Sequence, residues 1–379
     1  MGLEYLARRS DYRTNSTACS DPCWQSFIKN GEKNDKANRP TISCLQEVSM
    51  AIDPLVSIIT PTYNHENFIS ECLESVLAQS YASWEQIVID DGSTDKTAKI
   101  VSKFKDDRIK YIRQDNKGIL RLGESYNLAL QISKGEYIAV LEGDDFWPSD
   151  KLEIQIDAMR GSDAILSWGR AEVMDEKGDL LAVLPNDMER FMGLSREEQL
   201  GNLLIENPMH SCTIVCKKVA LQSIGGFKQP QGLPFVDGST WLELSLIGDF
   251  LPIDAVLGCY RRHDRQISST MKSSMVRAGL YFTEFFKNLP ADVKASLANE
   301  DNDIAARMDR KAREIDYYLG RAYLREGKWS DARESLLKAI KEENLPSIKA
   351  KAILGILCGL LRTDLEWLAA FIDPREGRR

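Results

Sequence analysis

From residue 55 onward, short continuous apolar runs alternate with segments whose apolar residues recur every three or four positions. The runs read as buried strands and the recurring patterns as amphipathic helices. Residues 56–60 form the first run, expected to stop at Pro61. Residues 67–79 follow, with a stripe at Phe68, Ile69, Cys72, Leu73, Val76 and Leu77 that makes one helix face. Residues 84–89 and 109–113 predict two more strands, with a helix over 96–104 between them. A helix over 124–132 leads into a strand at 137–141. The next helix begins at Lys151, behind Pro148, with Ser149 or Asp150 as its N-cap. This β-α-β-α-β-α-β order argues for a parallel, right-handed, doubly wound sheet.

Outside this stretch the pattern changes twice. Residues 1–52 are polar and aperiodic and read as a loosely ordered tail with one short helix over 24–29. After a strand over 211–217 and a Gly225-Gly226-Phe227 turn, the chain becomes helical from Ser274, with amphipathic segments at 275–289 and 304–324. Residues 350–371 are apolar but interrupted by Arg362, Asp364 and Glu366, which favours a packed helix over a segment lying on a membrane surface. The expected division is a tail over 1–52, an α/β domain over 53–272 and a helical region over 273–379.

Composition adds mainly exclusions. Of 379 residues 43% are hydrophobic and 28% charged, as in ordinary globular proteins, and the net charge of −8 leaves no electrostatic footprint for nucleic acid. The eight cysteines show no repeated CxxC pair, which argues against a disulfide scaffold or a zinc ribbon. Cys72, Cys259 and Cys358 lie in apolar surroundings and read as reduced core residues, in keeping with a cytoplasmic setting. Neither a membrane-length apolar run nor a secretory leader is recognised.

The candidate chemistry collects where open α/β sheets bind ligands, outside the carboxyl ends of their strands. The first strand delivers Thr62-Tyr63-Asn64, the second Asp90-Asp91, and the fourth Glu142-Gly143-Asp144-Asp145, with Gly143 expected to allow a tight turn. Adjacent carboxylates repel one another unless a cation joins them, and hard oxygen ligands suit Mg²⁺ or Mn²⁺. Acidic residues are also common in turns and N-caps, so the cluster alone has a purely structural reading. An aromatic side chain for stacking and carboxylates for ribose or base N–H groups suit a nucleotide. No GxGxxG or GxxxxGK[ST] occurs, so a metal would neutralise the phosphates. DDGSTD lacks the glycine and distal glutamate of a calcium loop.

Five ordered stretches, VSIITPTYNHENFISECLESVLAQSY, IVIDDGSTDKT, GEYIAVLEGDDFWPSDKLE, SIGGF and YRRHDRQIS, resemble the family 2 glycosyltransferases of GT-A fold. The resemblance implies an inverting, metal-dependent enzyme that uses nucleotide sugars. It aligns Thr62, Tyr63 and Glu66 with the segment lining base and ribose, and Asp91 with the carboxylate that reads the base, usually uracil. Asp144 aligns with the metal-binding end of the DxD motif, and Glu142 replaces the usual first Asp. Residues 116–127 are longer than the family segment, with Tyr126 where an Arg often precedes Asn127. Asp237, ahead of Trp241, becomes the candidate base, with an N-cap role as its alternative. His263 aligns with a late histidine that reaches the metal or diphosphate, and Arg261 and Arg262 add charge for phosphate oxygens.

Other features stay structural on this reading. His65 is a loop residue, and His210, Cys212 and Cys216 belong to a half-buried edge strand rather than a zinc site. Residues 315–340 resemble one tetratricopeptide unit, with Leu319-Gly320, Tyr323, Gly327, Ala332 and Ala339 near the expected spacing. The implied function is transfer from a nucleotide donor, a UDP-sugar, to a saccharide or lipid-linked acceptor hydroxyl in polysaccharide or glycolipid assembly. Peripheral contact with the inner face of the membrane, or with a protein, would run through the helical region. The alternative is a non-catalytic nucleotide-sugar-binding scaffold acting through that region.

Overall fold

A computed structural model of the chain describes residues 53–299, 302–342 and 346–361. The polar tail over 1–52 and the end of the apolar stretch beyond 361 lie outside the described residues. The first half contains β1 (Val56–Thr62), α1 (Ile69–Leu77), β2 (Trp84–Asp90), α2 (Thr97–Val101), β3 (Ile109–Arg113), α3 (Leu122–Ile132), β4 (Tyr137–Val140) and α4 (Lys151–Arg160). The second half adds β5 (Leu166–Met174), β6 (Leu180–Leu184), α5 (Arg196–Ile205), β7 (Val215–Lys217), α6 (Lys218–Ser223), α7 (Asp237–Ser245) and β8 (Phe250–Arg261). These strands form one eight-stranded sheet in the order β3-β2-β1-β4-β7-β5-β6, with β8 also on β5.

β1 to β4 are parallel, as the sequence predicts. The second half adds antiparallel pairings, in keeping with a mostly parallel doubly wound sheet: β7 runs antiparallel to both β4 and β5, β6 pairs antiparallel with β5, and β8 is parallel to β5. The sheet is therefore mixed, though mostly parallel, with a switch point where β1 lies between β2 and β4. Two further boundaries differ. β1 continues through Pro61 to Thr62 because the Pro61 carbonyl accepts from Gly143 N–H (3.1 Å) on the side where β4 has already ended. No strand partner there needs the missing N–H. The strand expected over 211–217 is a 3₁₀ turn (Ser211–Thr213) followed by β7, which sits inside the sheet rather than at an edge.

The long apolar runs exist because helices cover both sheet faces. Val56, Ile58 and Val88 pack with α1 and α4 on one face. Ile59, Ile87 and Ile89 pack with α3, α5 and α7 on the other, following the strand's period of two. At the start of α4, Asp150 is the N-cap but makes no side-chain cap bond; Gln79 Oε1 accepts from Leu152 N–H (3.1 Å) instead.

The helical region comprises α8 (Ile267–Thr270), α9 (Lys272–Asn288), α10 (Ala291–Ser296), α11 (Ile304–Arg325), α12 (Trp329–Glu342) and α13 (Pro346–Leu361). A short ladder of β9 (Ala298–Asn299) with β10 (Asn302–Asp303) precedes α11. Leu289, Leu297, Ile304 and Met308 join the core that holds Leu200, Leu203 and Leu204 of α5, so the region packs on the sheet domain. α11 and α12 form a hairpin through Gly327, whose φ of +69° suits glycine. At Gly320 an added Cβ would lie 2.5 Å from Leu336 Cγ, so the two helices touch where the repeat-like spacing puts a glycine.

Candidate active site

The carboxyl ends of β1 and β4 meet around Asp144. Leu141 N–H donates to Ile59 O (3.0 Å) and Gly143 N–H to Pro61 O, extending the ladder past β4. Gly143 is required by space rather than by a turn. An added Cβ would lie 2.6 Å from Thr62 Oγ1 and 2.8 Å from His65 Nδ1. This contact brings Thr62, His65 and Asp144 together. Thr62 Oγ1 is 3.1 Å from His65 Nδ1, and His65 Nε2 is 3.8 Å from Asp144 Oδ2. From the other half of the molecule, His263 Nε2 comes within 3.0 Å of the same Asp144 oxygen. His65, expected as a plain loop residue, is thus part of the cluster; the signal in the sequence was its place three residues after Thr62 on the segment lining the site.

The end of β8 is locked to this cluster. Arg261 N–H donates to Asp145 Oδ1 (2.9 Å), Arg261 Nε donates to the Asp144 carbonyl (3.1 Å), and its guanidinium pairs with Glu71. Arg261 is 4% exposed, so it holds loops together and does not present its charge to phosphate as expected. Arg262 is exposed, with its backbone N–H on the Met174 carbonyl (2.7 Å).

Three consecutive acidic positions end in different states. Burial pushes Glu142 up to about 7, with the charges of Asp144 and Asp237 adding to it against the hydrogen bond from Tyr126. Burial, then the charges of Asp144 and Glu142, pushes Asp145 well above the usual carboxylate range. Burial would also raise Asp144, but His65 and the His263 hydrogen bond outweigh it and hold that carboxyl below its ordinary value. Negative charge therefore concentrates on Asp144. Tyr126 O–H donates to Glu142 Oε1, so the residue standing where the family has Arg anchors the first carboxylate of the motif. Glu142 Oε2 is buried and lacks a partner among the described residues, as is His263 Nδ1.

The remaining predicted residues surround this centre. Tyr63 is 44% exposed beyond the end of β1 and presents an aromatic face to solvent. Asp91 accepts from Gln114 Nε2 (2.7 Å), Lys117 N–H (3.0 Å) and Gly118 N–H (3.0 Å), so it shapes the long 114–118 loop and keeps little free acceptor capacity. Glu66 is engaged elsewhere: its Oε2 accepts from Lys96 N–H (3.1 Å) at the start of α2. Asn127 clamps the glycine turn by donating to Phe227 O (2.9 Å) and accepting from Phe227 N–H (2.8 Å). Asp237 is the first residue of α7, with Val236 at the N-cap position, so the N-cap alternative does not hold. Its Oδ2 accepts from Asn207 Nδ2 (3.2 Å), and burial raises its pKa.

Among the described residues no three His, Cys, Asp or Glu side chains group as an all-protein metal site. Asp144 Oδ2 and His263 Nε2 nevertheless supply one oxygen and one nitrogen donor at a single point. That partial set fits a cation whose other ligands are phosphate oxygens and water. His210, Cys212 and Cys216 serve packing: the His210 ring lies 5.1 Å from Tyr260, and Cys216 Sγ faces the Ile138 carbonyl at 3.6 Å.

Comparison with known proteins agrees with this arrangement. Residues 57–221 match the family described as Glycosyl transferase family 2. The Escherichia coli UDP-Glc:alpha-D-GlcNAc-diphosphoundecaprenol beta-1,3-glucosyltransferase WfgD is 32% identical over 241 residues, covering 62% of this chain and 88% of that one. TuaG of Bacillus subtilis, a glycosyltransferase assigned to teichuronic acid biosynthesis, is 32% identical over 220 residues, 57% of this chain and 82% of that one. S. aureus TarS 1–349, solved with UDP-GlcNAc, aligns over 80% of this chain and 90% of that one with a TM-score of 0.55 at 18% identity, a likeness of fold. With the ordered motifs, the mixed sheet and the carboxylate cluster in place, the chain belongs to the family 2 glycosyltransferases of GT-A fold.

Proposed function

We propose that this enzyme is an inverting transferase that moves a sugar from a UDP-sugar to a hydroxyl of a lipid-linked saccharide during assembly of an envelope polysaccharide. The carrying observation is the pairing of Asp144 with His263 beside Glu142, whose Oε2 has no partner among the described residues. On this reading Glu142 Oε2 accepts a ribose hydroxyl, Tyr63 stacks on the base, and Thr62, Glu66 and Asp91 shape the nucleotide pocket. Asp144 and His263 would hold Mn²⁺ or Mg²⁺ against the diphosphate, and when bound the cation supplies positive charge for the departing phosphate.

Inversion follows from a single displacement. The acceptor oxygen forms its bond to the anomeric carbon as the bond to the diphosphate oxygen breaks, and Asp237 takes the acceptor proton. Burial raises the pKa of Asp237, which increases its proton affinity as a base over that of an ordinary carboxylate. The lipid-linked class is supported by the acceptor in the name of the E. coli relative. Such an acceptor would be met peripherally at the cytoplasmic face of the membrane; no described helix is long and apolar enough to cross it.

The test is nucleotide release from UDP-, GDP- and dTDP-sugars with Mn²⁺, Mg²⁺ or EDTA, beside Asp144→Ala and Asp237→Asn. Metal-dependent release of UDP that disappears in Asp144→Ala is the expected result. Asp237→Asn should retain donor binding and lose transfer once acceptor is supplied. Nucleotide-sugar binding without turnover, in the presence of acceptors, would move the reading to a binding scaffold.

A further inference from the structure

A cleft of ≈ 700 Å³ opens between α5 and α7 of the sheet domain and α9 and α11 of the helical region, with Asp237 in its wall. Its opposite wall is amphipathic. Met275 and Tyr318, each 37% exposed, face it together with Phe282, and Arg310 stands on the same side of α11. Three cations and two carboxylates besides Asp237 line the cleft: Arg307, Arg310 and Lys311 against Glu206 and Glu314.

These charges are not equivalent. Lys311 is committed to the end of α5, where Nζ donates to Ile205 O (3.1 Å) and Leu204 O (3.3 Å). Arg307 and Glu314 each have an interaction within the fold. Arg310 is exposed and makes no ion pair or hydrogen bond with a described residue. A saccharide alone would use Asp237 and the aromatic rings but would have no need of a guanidinium beside exposed apolar surface. A sugar diphosphate on an alkyl chain would use all three, because guanidinium binds phosphate through paired charge-assisted hydrogen bonds.

We propose that this cleft is the acceptor site and that the helical region completes it. The acceptor is a saccharide diphosphate carried on an alkyl chain. Its reactive hydroxyl lies at Asp237, its diphosphate on Arg310, and the first carbons of its chain against Met275 and Tyr318. This inference rests on the transferase reading above and assigns the helical region a direct part in acceptor recognition.

The test is calorimetric titration of the full chain with N-acetylglucosamine diphosphate bearing a short alkyl chain. Methyl N-acetylglucosaminide serves as the probe without phosphate. Arg310→Ala should weaken the diphosphate probe about tenfold, and Arg310→Lys should recover part of that loss. UDP affinity should be unchanged in both variants, which also shows that they are folded. Equal affinity of wild type and Arg310→Ala for the diphosphate probe, or no binding of it by wild type, would overturn the assignment. Arg310-dependent binding with no transfer from any donor would leave the cleft assignment standing and remove the transferase reading. Transfer to the probe that is indifferent to Arg310 would do the reverse.

Discussion

His263 follows Asp144 by 119 positions, yet its Nε2 lies 3.0 Å from Asp144 Oδ2. β8 brings the two together. Phe146 and Cys259 exchange backbone hydrogen bonds (3.2 and 2.8 Å), and Arg261 N–H reaches Asp145 two residues before His263. The second half of the sheet therefore delivers a nitrogen donor to a carboxylate carried by the first half.

This pairing predicts separable effects of the two side chains. Asp144→Ala should lower metal-dependent nucleotide release by at least about a hundredfold. His263→Ala should raise the Mn²⁺ concentration needed for half-maximal release while leaving most of the rate at saturation. A metal titration of both variants checks this; identical Mn²⁺ dependence in wild type and His263→Ala would rule out a ligand role for the imidazole.

Gly143→Ala tests the close approach of β4 to the Thr62 turn. The new methyl would meet Thr62 Oγ1 at 2.6 Å, Thr62 Cβ at 2.9 Å and His65 Nδ1 at 2.8 Å. Overpacking of this kind costs about 1–3 kcal/mol. Nucleotide release should fall more than the loss of stability explains, because the displaced groups are those around Asp144. Urea denaturation and a release assay on the same sample separate the two effects.

Tyr126→Phe removes the hydroxyl that donates to Glu142 Oε1. With Oε2 already without a partner among the described residues, the Glu142 carboxyl would lose the phenol that holds its Oε1. A buried acceptor left unsatisfied costs about 1–3 kcal/mol, and chemical denaturation should show that loss. Equal stability would mean that water replaces the phenol there.

The pH dependence of stability should carry a signature of His210. Burial, with Arg262 adding, lowers its pKa from 6.5 to about 4. The folded chain then binds fewer protons than the unfolded chain between these values, so stability falls as pH falls. The His210 contribution is fully present above pH 6.5, is lost progressively toward pH 4 and levels off below it. The whole loss amounts to about 3 kcal/mol. Denaturation of wild type and His210→Gln across this window should converge as pH falls; a constant difference would contradict the assignment.

Much of the first half was legible because its chemistry is local. β1 to β4 are covered on both faces, so each appears as a continuous apolar run, and the acidic loop after β4 follows directly from where that run ends. The motifs in turn identified the family. The helical region also declared itself through periodicity, down to the glycine where α11 meets α12.

The tertiary structure decided what each polar side chain faces. Glu66 and Arg261 carry charges suited to a nucleotide, but one caps α2 and the other is buried across Asp144, Asp145 and Glu71. His65 and Tyr126 look incidental in sequence and lie at the centre of the carboxylate cluster. The antiparallel insertion of β7 and the return of β8 were equally hidden. Residue spacing along one segment determines which face is apolar, and that pattern survives in the sequence. Which distant segment closes on that face, and hence which donor meets which acceptor, depends on how the whole sheet packs; no local period records it.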